Sequence, residues 1–439
     1  MIKSYSIAFF FIFFLLLIFV SHSCKEDSPV IPPPPLVLKD TITIAVTDVT
    51  HRSASLNVQC TMNNVQSLVR LYRLFNSSET LVSEFPITAQ DTTIIDDNNG
   101  TGLQLNTNYF YYAVRIDTTG ERKDTSNIVE TATLDTTSHN YTWQEYVIGE
   151  WQSALYDVWG TDENNVYAVG IIRMNGQNYS VLHYDGVEWS PIEDTVGGSS
   201  IFGFSSTDIW VVGGGVYHLE NGEWTRKDAK SVNNQLIPLD AVLFNNSPYT
   251  SVWGTSSSNL YLGNEWGKII HWDGSKASVV SSSEGETIKN IDGISSDFII
   301  GVGTDLTPPG ITVYYNGLSW SNYPNVDNTY SLNSVAIINQ KNICFGGDGI
   351  FQTKRGGFSK IVSTGYYVRD IEYNKATGEI VAAGDFDGVH IYNGMRWKSF
   401  KEEITNSSTS YFGIFTVNNK VFCVGRNNSQ AVIVIGTRN

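Results

Sequence analysis

The chain has 439 residues and a formal net charge of −16. That acidic balance argues against nucleic acid as a partner, because phosphate binding needs clustered Lys and Arg. Aromatic residues reach 13% while charged residues are only 16%, which is typical of the pleated, half-buried surfaces of an all-β protein. The length favours more than one domain.

Residues 1–23 predict a secretory signal. Lys3 precedes an apolar run that ends at Val20, and small polar residues follow it. This order of charge, apolar core and polar exit is that of a signal peptide. The apolar run is about 14 residues long, whereas a membrane-spanning helix needs roughly 20.

The exit of this segment, Ser21-His22-Ser23-Cys24, resembles the lipobox of bacterial lipoproteins in the loose form used by Bacteroidetes-like bacteria. The resemblance implies that Cys24 becomes the first mature residue and carries the acyl chains. Lys25, Glu26 and Asp27 resemble the signal that sends such lipoproteins to the outside of the outer membrane. We expect a lipid-anchored, surface-exposed protein. An ordinary cleaved signal with an incidental cysteine is the alternative.

Residues 24–37 predict a linker and residues 38–135 a first domain. Pro32 to Pro35 favour extended polyproline geometry, which makes a stiff spacer. The following residues alternate apolar and polar as strands do. The leucine, turn and tyrosine that end at Tyr109 resemble the tyrosine corner of fibronectin type III domains, which implies a β-sandwich. Cys60 departs from that family, which usually buries a tryptophan there.

Residues 140–439 repeat one pattern of strand, turn, strand, loop, strand, tight turn, strand. Copies recur at intervals of 38 to 50 residues, and four strands at such a period are typical of propeller blades. We therefore predict a β-propeller of seven blades, with six or eight as alternatives. A glycine marks the second strand of each copy, at Gly170, Gly213, Gly263, Gly303, Gly346, Gly384 and Gly425.

The sequence also predicts how the ring closes. The seventh copy ends after its third strand, and an orphan strand that contains a tryptophan, Tyr141–Ile148, precedes the first copy. We expect this strand to complete the seventh blade, which removes an open sheet edge. The fold class is thus all-β: a fibronectin type III sandwich followed by a seven-bladed β-propeller closed by an N-terminal strand.

The remaining cysteines and the repeated histidines favour structural roles. Cys344 and Cys423 each precede a marker glycine by two residues, in non-adjacent blades, so we expect buried thiols and no disulfide. His183, His218 and His271 occupy one equivalent position per blade. That placement spreads them around the ring and argues against a metal centre, and each is expected to bond within its own blade.

The loops between second and third strands share one propeller face with the interblade loops, and they are longer than the turns of the other face. Loops on a rigid scaffold commonly carry function. Aromatic faces mixed with polar side chains suit sugars or peptide chains. The candidate ligand-binding residues are Arg173, Tyr179, Trp266, Asp305, Asp385, Phe386, Asp387 and Asn427.

No catalytic, metal or cofactor motif is found in the sequence, so no cofactor is expected. The prediction is a monomeric surface lipoprotein that binds an extracellular glycan or protein through the propeller loops. Two alternatives stay open. One is a carbohydrate-active hydrolase or lyase, in which Asp385 and Asp387 could serve as the acids. The other is a scaffold of an outer-membrane assembly.

Overall fold

The computed structural model describes residues 41–61, 67–87, 91–192, 197–232, 235–243, 247–283, 286–304, 310–323, 326, 330–354, 357–386, 388–404 and 408–439. These residues form strands, turns and loops, and none of them belongs to a helix that is long and apolar enough to cross a bilayer. The predicted signal, Cys24, the export residues Lys25 to Asp27 and the proline linker lie outside the described residues.

Residues 41–135, here called the N-terminal unit, form two sheets around one core. The first sheet has the order β1-β2-β5, and the second has the order β4-β3-β6-β7 with β8 paired to β6. Buried side chains of both sheets, such as Leu56 and Tyr111, pack together. The strands are β1 (Thr41–Val49), β2 (Ala54–Thr61), β3 (Leu68–Phe75), β4 (Ser78–Pro86), β5 (Asp91–Asp96), β6 (Asn108–Ile116), β7 (Arg122–Thr125) and β8 (Val129–Ala132).

Two polar features fix this core. The hydroxyl of buried Tyr109 accepts a hydrogen bond from the backbone N–H of Gln104 at 2.9 Å, which ties the start of β6 to the preceding turn. Buried Arg73 donates to both oxygens of Asp96, at 2.9 and 2.8 Å, and the Tyr111 hydroxyl donates to the same carboxylate at 2.9 Å. A buried charge pair of this kind is stable only while each member keeps its partners.

Residues 141–439, here called the ring, form seven four-stranded antiparallel sheets within the described ranges. A two-stranded hairpin lies between the second and third sheets. In chain order, with ring sheets numbered 1 to 7, the strands are β9 (Tyr141–Ile148); sheet 1, β10 (Ala154–Asp162), β11 (Asn165–Met174), β12 (Gln177–Tyr184) and β13 (Trp189–Ile192); sheet 2, β14 (Ser200–Ser205), β15 (Asp208–Val212), β16 (Val216–Glu220) and β17 (Glu223–Arg226); the hairpin β18 (Ala229–Val232) and β19 (Gln235–Pro238); sheet 3, β20 (Tyr249–Ser256), β21 (Asn259–Asn264), β22 (Lys268–Trp272) and β23 (Ala277–Ser282); sheet 4, β24 (Ile288–Ser295), β25 (Phe298–Gly303), β26 (Ile311–Tyr315) and β27 (Trp320–Asn322); sheet 5, β28 (Leu332–Asn339), β29 (Asn342–Gly347), β30 (Gly349–Lys354) and β31 (Gly357–Val362); sheet 6, β32 (Val368–Tyr373), β33 (Ile380–Gly384), β34 (Val389–Tyr392) and β35 (Trp397–Ser399); and sheet 7, β36 (Ser410–Val417), β37 (Lys420–Arg426) and β38 (Ala431–Arg438), followed in space by β9.

The ring is closed by contact and by strand pairing, and the fold is therefore a β-propeller. The first strand of each sheet is its inner strand; it contacts the inner strand of the next sheet, and β36 contacts β10. The predicted pairing of the orphan strand is present, because β9 pairs with β38 from Tyr141 opposite Arg438 to Ile148 opposite Ala431. The indole of Trp143 packs against Gly436 and leaves no space there for a Cβ.

The structure corrects the marker alignment at two sheets. At Gly170 an added Cβ would collide with the backbone carbonyl oxygen of Ala154, at the start of the inner strand. The equivalent glycines of sheets 4, 6 and 7 meet a carbonyl oxygen at the same place. In sheet 5 the equivalent residue is Gly347, opposite Leu332, and in sheet 3 it is Asn264, opposite Tyr249. The alignment was therefore off by one residue at these two sheets.

This shift also separates the two ring cysteines. Cys344 pairs across the strands with Ala336, whereas Cys423 pairs with Ile414, which is one step earlier in the inner strand. The two cysteines therefore do not occupy equivalent positions, although their equal spacing from the marker glycines predicted that they would. The prediction of buried thiols holds, because Cys60, Cys344 and Cys423 are buried and form no disulfide in the described part of the chain.

Aspartate side chains link neighbouring inner strands, which belong to separate sheets and share no backbone ladder. Asp157 accepts a hydrogen bond from the backbone N–H of Ile201 in the next inner strand at 2.9 Å. Asp292 and Asp370 do the same for the next strands, at 2.9 and 2.8 Å. Gly413 takes the equivalent place in β36, where a Cβ would clash with Asp157.

Candidate functional site

The repeated histidines hold their own sheets together. The Nε2 atoms of His183, His218 and His271 each lie 2.7 Å from a polar side-chain oxygen at the start of the neighbouring strand. Each imidazole also packs on an aromatic ring one strand away. This arrangement confirms the predicted within-sheet bonding. No group of His, Cys, Asp and Glu in the described residues could hold a metal ion.

The N-terminal unit rests on one face of the ring, at the short turns of sheets 5 and 6. Asn339 Nδ2 donates to Ser53 Oγ at 3.2 Å, and Lys341 Nζ donates to the Ile95 carbonyl at 2.8 Å. The imidazole of His51 fills a slot between Gly378 and Gly394, where a Cβ on either glycine would collide with it. The loops that carry the candidate ligand residues are at the other ends of the strands, on the opposite face, here called the loop face.

The structure brings some of the candidate ligand residues together and separates one. Arg173 and Tyr179 belong to sheet 1, Asp385 and Phe386 to sheet 6, and Asn427 to sheet 7. Sheets 6, 7 and 1 are consecutive around the closed ring.

Trp266 belongs to sheet 3, on another sector of the ring, so it does not share a site with these residues. Asp305 and Asp387 lie outside the described residues.

Two polar candidates have structural partners. The carboxylate of Asp385 accepts hydrogen bonds from Nε and Nη2 of Arg369, one on each oxygen and each at 3.0 Å, and that guanidinium lies 5.0 Å from the ring centre of Tyr367. The Asn427 side-chain oxygen accepts from the backbone N–H groups of Ser429 and Gln430, at 3.0 and 2.8 Å. Both side chains therefore fix the shape of the loops that present their neighbours.

Phe386 is presented to solvent at an energetic cost. Its backbone φ is +58°, and its side chain is 59% exposed. The backbone of a bulky residue rarely adopts this left-handed region because it is sterically strained. Backbone strain of this kind concentrates at functional positions. The neighbouring ion pair of Asp385 holds this turn in place.

Trp151 is an exposed aromatic that sequence reasoning missed. It lies in the loop between β9 and β10 and is 66% exposed. Its neighbour Gln152 accepts from Arg173 Nη1 at 2.5 Å and donates its backbone N–H to Ser429 at 2.9 Å. These bonds attach the loop to both adjacent hairpins, so Trp151 stands on a rigid frame. Its place in an interblade loop, on the face already singled out, was the signal that could have found it.

A recurrent β-bulge shapes the mouth of the ring on the loop face. At the same place in six inner strands the register shifts and one extra residue is inserted. Bulges commonly re-aim a side chain beside a binding site. The rings of Tyr156 and Phe412 lie 6.1 Å apart across sheets 1 and 7, and Asn333 donates to the backbone of Arg369. These inserted residues, the mouth residues, are Tyr156, Thr250, Lys289, Asn333, Arg369 and Phe412.

A cavity of about 320 Å³ lies inside the ring below this mouth. Aromatic side chains of sheets 7, 1, 2 and 3 line it together with four acids, here called the cavity carboxylates: Asp157, Asp292, Asp370 and Glu372. Burial raises the pKa of Asp157 to about 7, and the nearby Asp370 adds to that rise. Burial likewise raises the pKa values of Asp292 and Asp370 to about 6. Burial also raises the pKa of Glu372, with Asp370 as the next cause.

Comparisons with known proteins identify no family for this chain. No family model and no curated protein matches this chain. One similar solved structure is the WD40 β-propeller domain of Doa1, with 13% sequence identity and a TM-score of 0.48. The match covers 68% of this chain and 97% of that one. The closed ring of sheets described above is the evidence for the β-propeller, and it stands without this likeness.

Proposed function

We propose that the protein is a surface lipoprotein that binds an extracellular glycan or protein through the loop face of its ring. The observation that carries this proposal is the concentration of outward aromatic side chains over sheets 6, 7 and 1. Trp151 and Phe386 are exposed there, and Tyr156 and Phe412 pair at the mouth between them. Exposed aromatics held on a rigid frame are typical of binding hot spots.

The polar groups of this sector favour a polar ligand. Arg173 lies beside Trp151 and uses one nitrogen on Gln152, which leaves further donors of its guanidinium for a ligand. Flat rings that stack on apolar surfaces, with donors at their edges, suit sugars and peptide chains. The hydrolase alternative is less well supported, because the carboxylate of Asp385 is committed to Arg369.

The attachment of the N-terminal unit supports an outward orientation of the loop face. Its Val49 end approaches the short-turn face of the ring through His51 and Ser53. β1 spans 9 residues, which is a length of roughly 26 Å at about 3.3 Å per residue, so its Thr41 end can lie well away from the ring. A tether that enters at Thr41 would therefore leave the loop face pointing away from the membrane.

We infer the remaining parts of this assignment from the same features. The ring is a seven-bladed β-propeller over residues 140–439, and residues 38–135 are a fibronectin type III-like domain whose tyrosine corner is the bond between Tyr109 and Gln104. Cys24, with residues 25–27, would anchor and export the protein to the outer surface of the outer membrane. It would act there as a monomer, without a cofactor.

The experiment uses residues 25–439 on arrays of glycans and extracellular proteins. For a ligand found in this way, the double variant Trp151→Ala/Phe386→Ala should weaken binding roughly thirtyfold, as expected for a hot spot of about 2 kcal/mol. Trp266→Ala is the matched control, because that tryptophan is 51% exposed in the distant sheet 3. Equal binding by wild type and double variant would refute the site. Resistance of the protein to protease on intact cells would refute surface exposure.

A further inference from the structure

A second cavity lies between the N-terminal unit and the short-turn face of the ring, far from the loop face. Its volume is about 480 Å³. One wall comes from the turns of the N-terminal unit at residues 50–53 and 97–102, and the other comes from sheets 5 and 6. Ligand sites are preferentially clefts of about 300–1,000 Å³ at domain interfaces. We call this space the interdomain cleft.

Bonds from the N-terminal unit itself, and from the segment that joins it to the ring, hold the two walls at a fixed separation. Beside the His51 slot, Thr137 Oγ1 donates to Glu379 Oε1 at 2.6 Å. Asn393 Nδ2 donates to the Thr137 carbonyl at 2.7 Å. Lys341 spans from the ring to the backbone of the N-terminal unit at 2.8 Å. The cleft is therefore preformed, which lowers the ordering cost of binding.

The wall of the ring offers aromatic and apolar surface. The rings of Trp397 and Tyr392 lie 5.5 Å apart, and both residues line the cleft. Met395, in the turn between their strands, is 62% exposed, and Ile361 also presents part of its side chain. This surface suits the C–H face of a flat, partly apolar ligand.

The facing wall offers hydrogen-bonding groups of both kinds. Arg52 uses one N–H on the Leu103 carbonyl, at 3.1 Å, and a guanidinium has five such donors. Asp97 holds the backbone N–H of Gly100 with one oxygen, at 3.0 Å, and a carboxylate accepts further bonds. Besides Arg52 and Asp97, the cleft is lined by the charged Lys341, which already donates to the Ile95 carbonyl. The net charge of these three groups is thus only +1, which does not select a multiply charged ligand.

We propose that the interdomain cleft binds a short uncharged oligosaccharide. Its sugar rings would lie on Trp397 and Met395, and its hydroxyls would bond to Arg52 and Asp97. Hydroxyl groups both donate and accept, so they match a wall that contains donors and acceptors together. This proposal does not depend on the function assigned to the loop face, because the two sites lie on opposite faces of the ring.

The test is calorimetric titration of residues 25–439 with uncharged trisaccharides: maltotriose, cellotriose, mannotriose and triacetylchitotriose. Trigalacturonate and a short uncharged peptide are the comparison ligands. Met395→Trp fills the cleft from an exposed position. Leu318→Trp is the matched control, because Leu318 also follows an Asn-Gly turn and is 90% exposed, in sheet 4.

We expect at least one uncharged trisaccharide to bind, and Met395→Trp to weaken that binding about tenfold or more. Leu318→Trp and the loop-face double variant Trp151→Ala/Phe386→Ala should bind as wild type does. The proposal is wrong if no uncharged trisaccharide binds, if trigalacturonate or the peptide binds more tightly, or if Met395→Trp binds unchanged. Loss of binding in the loop-face variant alone would also overturn it, and would assign the sugar to the other face.

Discussion

Replacing Asp370 by alanine tests whether side-chain bridges hold neighbouring ring sheets together. Asp370 lies in the inner strand of sheet 6 and accepts from both neighbouring sheets. Ser334 Oγ donates to one carboxylate oxygen at 2.6 Å, and the Ile414 backbone N–H donates to the other at 2.8 Å. Both donors belong to buried residues.

The expected loss follows from these two donors. Each buried donor left without its acceptor costs about 1–3 kcal/mol, so the pair predicts about 2–6 kcal/mol. Removal of a carboxylate whose pKa is raised by burial offsets part of this loss. We therefore expect the free energy of unfolding of the ring to fall by about 2–4 kcal/mol. The Asp370→Asn variant keeps one acceptor oxygen, so its free energy of unfolding should lie between those of the wild type and Asp370→Ala.

The assay is equilibrium denaturation in urea followed by the fluorescence of the tryptophans. Asp348→Ala is the control, because that carboxylate is 74% exposed and pairs with Lys360 on the surface, where an ion pair contributes about 1 kcal/mol or less. A loss for Asp370→Ala within about 0.5 kcal/mol of the control would show that the bridges do not stabilise the ring.

Three further outcomes are expected. The cavity carboxylates have folded-state pKa values above their ordinary range, so their protonation favours the folded ring. The stability of the ring should therefore rise as the pH falls from about 8 to about 6.5, below which the histidines whose pKa values are lowered by burial oppose the rise. A denaturation midpoint that falls between about pH 8 and about pH 6.5 would contradict this. Gly436→Val should displace Trp143 and cost about 1–3 kcal/mol, whereas Gly214→Val, with no neighbour within 4 Å of the added Cβ, should cost less in the same thermal melt. Asp96→Ala should cost the N-terminal unit about 3–5 kcal/mol by leaving buried Arg73 unpaired, and an unchanged melt of residues 25–439 would show that water replaces the carboxylate.

Much of the ring was predictable because its signals are local and repeated. Each repeat contains the same order of strands and turns, with a tight Asn-Gly or Asp-Gly turn before its last strand. Because this order recurs at a regular period, the strands could be placed without knowledge of their packing. The pairing of Tyr141–Ile148 with β38 followed from an incomplete last copy beside an orphan strand. The bond between the Tyr109 hydroxyl and the Gln104 backbone could be anticipated for the same reason, since it joins neighbours in sequence.

The candidate site was less predictable because it depends on relations between sheets. The aspartate bridges and the bulge at Tyr156 leave no trace in the alternation of apolar and polar residues. Sequence alone grouped Trp266 with Phe386 by loop type, although their sheets are three positions apart in the ring. The cleft beneath the N-terminal unit arises from how His51 fits between two turns of sheet 6 and from the bonds of Asn339 and Lys341 to that unit, and all of these join residues far apart in sequence.

The pairing of β9 with β38 also constrains the order of assembly. Thr142 bonds to Thr437, 295 residues further along the chain. A contact between such distant segments forms late, because the intervening loop must first be ordered. Until that contact forms, β38 and β9 each keep an unpaired strand edge, to which a strand of another copy of the protein could pair. Refolding at high protein concentration should therefore favour exchange of β9 between copies over closure of each ring by its own strand.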